Sequence, residues 1–516
     1  MPMETACYHL EDIYDPSVHV ISKRGFEAPR FLPQYLSDAG ITHRIMSSPT
    51  VSSLPDLHVY IRDTRLCVGV VALFQNLGNI TAFDQSSNPS GHVSLSVAEN
   101  KMNEDLLLPK YQEAFQGFPP ELIYYQPTKG QPELCSALAD FMNEHISKGT
   151  YSFDSDNLVD QQLFCVFLVY VVLCVIAALE PAFLEKAGTY NVHAFEFDIQ
   201  AKVQAKVFGV DTGRAIPKAW RLFSDVMENN KNSEDKKMKR GLDGGTCVVS
   251  YNIVCVPTVY VATGSESKAW PEKYYPTVDK LEAARKKAID AGLRPKVLLL
   301  CQPSNPLAVC FPKHVMEEAW EWAEAHDMHV VSDEIYAAGI HSSEADFWSI
   351  SRIAAEKGKS IGDKVHMVYA LSKDFCSSGL RCGVLYSEND EVLKSAKKLN
   401  DLCQISSHTQ YALTKVLKDK EWVKTFLDES NSRLHSRYKE VKNAFEAHGL
   451  KVLPAEAGLF CWIDMRKWMK SDTWEAELEL YSALQNEAKL LMTPGFSMRT
   501  EEPGFFRCCF ATYRPV

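Results

Sequence analysis

The 15 cysteines form no C-x-x-C pair and show no zinc-ligand spacing, so no redox dithiol motif and no metal site are expected. Positive charge is not in excess either. Lys and Arg number 55 against 66 Asp and Glu, for a net charge of −11. Nucleic-acid binding through a basic surface is therefore not expected. No internal repeat or low-complexity tract is present. The first residues carry Asp and Glu and no apolar stretch, so no secretory signal is expected there. The cysteines then read as reduced thiols of a cytoplasmic protein. Long uncharged runs are scarce. One of 17 residues, 163–179, reaches the short limit for a membrane span. Asp160 precedes it and Glu180 follows it where basic flanks would be needed. It is expected to be a buried helix, with no membrane role. His326 and His329 are spaced like metal ligands but straddle a helix-to-strand junction, so a structural role is expected. Cys508 and Cys509 read as a buried strand pair.

What is present suits a large globular chain. Hydrophobic residues make up 46% and charged residues 23% of 516 positions. That is ordinary for a folded protein and ample for a sizeable core of more than one domain. Short apolar runs alternate with helical patterns, which predicts an α/β fold with a mostly parallel sheet. The run at 297–300 ends in QPSNP, with Asn305 between prolines. The run at 329–331 ends in SDEIY, with Asp333 and Tyr336 three residues apart. The run at 365–371 is followed by Lys373, and Arg381 lies eight residues further on, between Gly379 and Gly383. Ligands of such sheets sit beyond the carboxyl ends of the strands. One crevice is therefore predicted to collect Asn305, Asp333, Tyr336 and Lys373. Helices are predicted over 132–145, 277–288, 313–326, 390–400 and 409–446, and strands over 452–453, 459–464 and 505–510.

These motifs, with SVAEN (96–100) and EPGFFRCCFA (502–511), resemble the class I and II aminotransferases. Those are pyridoxal 5'-phosphate (PLP) enzymes of fold-type I, and the sequence is most similar to their 1-aminocyclopropane-1-carboxylate (ACC) synthase-like branch. The resemblance implies a large domain with a mainly parallel sheet flanked by helices, and a smaller α+β domain. On that reading residues 1–109 form an N-terminal arm and part of the small domain. Residues 110–400 form the PLP-binding domain and 401–516 the rest of the small domain. Residues 45–79 and 203–251 fit nothing in the family and read as inserts, the centre of the second being loop-like. Relatives usually continue beyond the match to 511, so a last helix is expected to be missing.

The resemblance also implies roles. Lys373 would form an imine with PLP and act as base at the substrate Cα. Asp333 would pair with the ring nitrogen, and Tyr336 and Asn305 with the ring oxygen. Arg381 and Ser372 would hold the phosphate, and Tyr190 would stack on the ring or serve only as a core tyrosine. Arg507 would bind the substrate carboxylate through a planar two-pronged donor. Glu99 matches a residue that faces the substrate amine in ACC synthases. Alternatively it is an exposed acid near a helix start. The expected activity is transamination of an α-amino acid by a homodimer. The alternatives are a PLP lyase, acting on S-adenosylmethionine or on a C–S bond, and a catalytically impaired paralogue. Several positions depart from the family. Thr128 stands where an aromatic crosses the dimer interface, with Tyr125 offset from it. Leu163, Phe164 and Cys165 replace a Gly-led phosphate turn, Ala370 replaces a hydroxyl residue, and Ala308 replaces a turn glycine. Weaker binding of the cofactor phosphate is expected from the second and third of these.

Overall fold

The computed structural model describes residues 81–84, 87–162, 245–248, 271–290, 292–400, 404–498 and 500–512. The chain divides into two compact units, Met1–Thr81 with Glu185–Lys239 and Ala82–Leu184 with Arg240–Val516. The second unit carries the elements below. The expected insert at 45–79, the apolar run at 163–179 with its altered phosphate turn, and Tyr190 lie outside the described residues. So does the expected insert at 203–251, apart from its last strand.

Among the described residues twelve strands follow one another: β1 (Val93–Ser94), β2 (Leu158–Gln162), β3 (Gly245–Val248), β4 (Arg294–Cys301), β5 (His329–Asp333), β6 (Val365–Ala370), β7 (Cys382–Ser387), β8 (Lys451–Val452), β9 (Phe460–Asp464), β10 (Leu490–Leu491), β11 (Thr493–Pro494) and β12 (Phe505–Cys509). Six form one sheet in the order β2-β7-β6-β5-β4-β3. Only β7 runs against the rest, so the sheet is mainly parallel, as predicted. β5 and β6 are buried at every residue. That is why they appear in the sequence as unbroken apolar runs rather than alternating ones. Gly245–Val248 pairs with β4 as the edge strand, so the end of the stretch read as a second insert belongs to this sheet.

A four-stranded antiparallel sheet, β11-β12-β9-β8, and the parallel pair β1-β10 are separate from it. All strands of the large sheet lie within residues 110–400. The small sheet lies beyond 401, and β1 joins it to the early chain through β10.

The helices are α1 (Glu104–Ala114), α2 (Pro132–Phe141), α3 (Val278–Asp290), α4 (Lys313–Ala325), α5 (Ile350–Glu356), α6 (Leu371–Asp374), α7 (Asp390–Asn400), α8 (Ser407–Lys418), α9 (Lys420–Ala447) and α10 (Trp474–Asn486). α4 starts directly after Pro312 and buries Val315, Met316, Ala319, Trp320, Trp322 and Ala323. This is the apolar stripe of a helix packed on a sheet. The single helix predicted over 409–446 is instead two. Asp419 leaves the helical conformation, and its side chain accepts from Trp422 N–H as the N-cap of α9. Lys110 holds the same carboxylate at 2.6 Å. An N-capping aspartate favours a new helix start over continuation. Ala308 adopts φ 60°, the left-handed region that costs an L-residue roughly 1–2 kcal/mol. Its carbonyl accepts from Glu456 and Ala457 N–H at 2.7 and 3.1 Å, so the turn is kept without the glycine.

One core position conflicts with its surroundings. Asp160 on β2 is fully buried, and neither carboxylate oxygen has a hydrogen-bond partner among the described residues. Gly130 is what admits it: a Cβ there would lie 2.2 Å from Asp160 Oδ2. Burial raises the Asp160 pKa well above the usual carboxylate range. The native state therefore holds this proton more tightly than the unfolded chain. The sign follows: stability falls as pH rises past the unfolded value, about 3.9. We expect Asp160→Val to stabilise the fold by roughly 1–3 kcal/mol at neutral pH, the cost of an unpaired buried polar group. The melting-temperature gain should be larger at pH 8 than at pH 5. A variant that melts lower than the parent at both values would refute this.

Candidate active site

β4, β5 and β6 are adjacent and parallel, so their carboxyl ends open on one edge. Each continues into a segment that carries a predicted site residue. After β4, Gln302 donates to Phe311 O at 3.1 Å and accepts from Phe311 N–H at 2.9 Å. This closes the loop that holds Asn305, which is fully buried. β5 ends on Asp333, and Tyr336 follows, both about 2% exposed. β6 leads directly into α6, a single turn that carries Ser372 and Lys373. β7 enters the same edge from the opposite direction. Arg381, just before it, takes φ 56° at the end of a short 3-10 turn, Ser378–Leu380.

Electrostatics separate Asp333 from the other buried acids. Burial pushes its carboxyl up to about 7, while Ile335 N–H, the Lys373 charge and the Cys301 thiol pull it back. The Ile335 contact is long, at 3.3 Å. Glu334 and Asp374 are also pushed to about 7 by burial. Both serve the fold. Glu334 accepts from Ser332 Oγ and Ile350 N–H at 2.9 Å each. Asp374 accepts from Ala338 N–H at 2.9 Å and Tyr369 OH at 3.1 Å. The donors to Asp333, the distant Ile335 N–H and the weakly polar Cys301 thiol, are poorer than these, and a cationic N–H would lower the cost of its charge.

The small sheet supplies the other wall. Arg507 on β12 is 8% exposed. It donates to Asn305 Oδ1 at 2.9 Å, to Ser96 O at 2.8 Å and to Thr493 Oγ1 at 3.4 Å. Its guanidinium lies 5.2 Å from the Phe460 ring centroid, and that ring meets Tyr336 edge-on. The segment between β1 and α1 crosses between these walls. Ala98 O accepts from Lys373 Nζ at 2.6 Å. Glu99 Oε1 accepts from Ser378 Oγ at 3.3 Å, and Ser378 O accepts from Arg381 Nη1 at 2.7 Å. The Ser372 hydroxyl is buried with no hydrogen-bond partner among the described residues.

Eight of the nine predicted site residues are thus placed around one edge, Tyr190 lying outside the described residues. The sequence reading missed Ser96, Ala98, Phe460, Thr493 and Cys301. The first two act through backbone carbonyls, which leave no residue-type signal. His329 faces His366 at 2.9 Å, and His366 faces Ser387, while His326 lies beside Glu282. Among the described residues no His, Cys, Asp and Glu group is arranged to hold a metal, and no helix is long and apolar enough to cross a membrane. Tyr125 is fully exposed, and Ile123 and Tyr124 beside it are about 70% exposed.

A model of aminotransferase class I and II matches residues 256–515. ACC synthase 8 of Arabidopsis thaliana is 30% identical over 450 residues, 83% of this chain and 81% of that protein. An ACC synthase of Nicotiana tabacum is 39% identical over 236 residues, 46% of this chain and 48% of that one. The fold resembles aspartate aminotransferase from Thermus thermophilus with maleate, at TM-score 0.58 and 18% identity, covering 87% of this chain and 92% of that one. It also resembles an aromatic aminotransferase from Pyrococcus horikoshii, at TM-score 0.56 and 18% identity, covering 82% and 91%. With this sheet, this edge and these matches, the chain belongs to the aminotransferase class I and II family.

Proposed function

We propose that the protein is a PLP-dependent enzyme that transaminates an α-amino acid. The observation that carries this is the convergence of Asn305, Asp333 and Lys373 at three neighbouring strand ends, with Arg507 hydrogen-bonded to Asn305. Family members are PLP enzymes that act on amino acids and are commonly dimeric. The residues present fit that cofactor on two counts. Asp333 is a dry carboxylate that gains from a cationic N–H, and Ser372 offers a buried hydroxyl without a partner.

Lys373 and Asp333 would then hold opposite ends of the cofactor, with Tyr336 and Asn305 at its ring oxygen and Ser372 and Arg381 at its phosphate. When bound, it supplies an electron sink for the pair left at Cα. Lys373 would serve as the base, accepting the Cα proton at Nζ. Asp333 keeps a proton at the ring nitrogen, which deepens the sink. Arg507 fixes the substrate carboxylate and so aims the Cα–H bond at Lys373.

A PLP lyase remains the second reading, favoured by Glu99, which Ser378 holds beside the segment that contacts Lys373. We also propose a homodimer, supported by the exposed Ile123, Tyr124 and Tyr125, since clustered exposed apolar groups mark interfaces. A monomer in sedimentation equilibrium would overturn that part. The buried, unbridged cysteines suit a cytoplasmic setting.

The purified protein should gain visible absorbance with PLP, and that absorbance should shift when an amino acid is added. Release of a keto acid supports transamination, and release of ammonia or a thiol supports the lyase. Lys373→Ala should abolish both the shift and turnover; undiminished turnover would sink the assignment. Arg507→Lys replaces a fork by a point charge and should raise KM for an α-amino acid by roughly 10–150-fold, the equivalent of about 1.5–3 kcal/mol. An unchanged KM would place the carboxylate site elsewhere.

A further inference from the structure

Arg507 lies three residues after Gly504, and its register partner Thr493 lies three residues before Phe496. Those two strands have little hold on each other. β11 is only two residues long, and one is Pro494, which has no N–H to donate. The loop joining them is held at both ends by one side chain. Glu477, in the first turn of α10, is fully buried. It accepts from Phe496 N–H at 2.8 Å through Oε1 and from Gly504 N–H at 2.5 Å through Oε2. Burial pushes its carboxyl up to about 7, and these two N–H groups pull it back. Among the described residues no cation pairs with it. The loop's outer part has a separate hold, with Glu502 facing Lys273 at 3.2 Å.

We propose that Glu477 is a positioning residue for Arg507, clamping Phe496 and Gly504 so that β11 and β12 present the guanidinium at the angle a substrate carboxylate requires. This rests on the reading of Arg507 as the carboxylate site. The clamp reaches Arg507 by two routes. Gly504 sets the entry of β12, which carries Arg507 itself. Phe496 sets the exit of β11, which carries Thr493, and the Thr493 hydroxyl is an acceptor of the guanidinium. A carboxylate is the side chain that accepts two N–H groups at once. A carboxamide at this place meets one of them with its own NH2.

The test uses the PLP-loaded full chain and two probes: L-methionine, and 3-(methylthio)propylamine, which lacks only the carboxylate. Dissociation constants are measured by calorimetry for the parent, Glu477→Gln and Arg507→Lys. We expect Glu477→Gln to weaken L-methionine about tenfold, the scale of one charged hydrogen bond, with the amine unchanged and PLP retained. An unchanged preference for amino acid over amine in Glu477→Gln overturns the proposal. Equal weakening of both probes overturns it too, because a merely structural role would do that. If Glu477→Gln does not fold, Glu477→Asp, which keeps the charge but shortens the reach, is judged by the same two criteria. Arg507→Lys separates the causes of failure. If it loses the preference while the Glu477 variant keeps it, only the clamp is wrong. If Arg507→Lys keeps the preference, the carboxylate reading is wrong and the clamp falls with it.

Discussion

The guanidinium of Arg507 ties together three parts of the chain that are remote in sequence. A buried cation is stable only where hydrogen bonds replace its water. Here the replacements come from Asn305 of the large sheet's edge, from the Ser96 carbonyl of the early chain, and from Thr493 of the small sheet. Each partner is in turn placed by its own element. Asn305 depends on the Gln302–Phe311 closure, Thr493 on its pairing with β12, and Ser96 on the β1–β10 pair just before it. The aromatic contact with Phe460 extends the link to Tyr336. The site therefore needs both sheets, and neither makes it alone.

How much of this was legible in the sequence depended on what kind of group does the work. β5 and β6 were readable because burial on both faces demands unbroken apolar residues, and the strand ends then located Asp333 and Lys373. Asn305 was readable from its strand end as well, but Arg507 was readable only through the family's motifs, since nothing in spacing alone brings positions 305 and 507 together. The carbonyls of Ser96 and Ala98 were not readable, because any residue supplies one. The break at Asp419 was hidden for another reason: the apolar pattern continues across it, and only the capping geometry reveals the new start. Gly245–Val248 is too short, beside a charged stretch, to announce a strand. Tyr125 faces outward, and sequence pattern does not distinguish that from packing.

Buried ionisable groups have opposing effects on how stability varies with pH. Asp333, Glu334, Asp374 and Glu477 are raised to about 7 and Asp160 further. Each contributes stability at low pH that is lost as pH rises from about 4 through its folded value. His329, lowered to about 4, His341, lowered to about 3, and His366, lowered further, do the reverse. Their contribution is complete above about 6.5 and is lost as pH falls. The two sets therefore offset each other across mildly acidic pH. Among the acids Asp333 alone sits on the site edge with only one backbone donor, at a long distance, so a bound cation would change its contribution most.

The reversed direction of β7 sets a ruler on the chain. Because β6 leaves the edge and β7 re-enters it, the residues between them trace a single out-and-back excursion, Lys373 on the outward limb and Arg381 at the return. Two left-handed residues, Cys376 and Arg381, make the bends, and the Leu371 carbonyl accepts from Ser377 N–H to draw the limbs together. Had β7 been parallel, its start would lie at the far side of the sheet and a full crossover would be needed to bring an arginine back. The eight-residue interval between Lys373 and Arg381 is thus a closed-path condition. The count cannot change without moving one charge relative to the other.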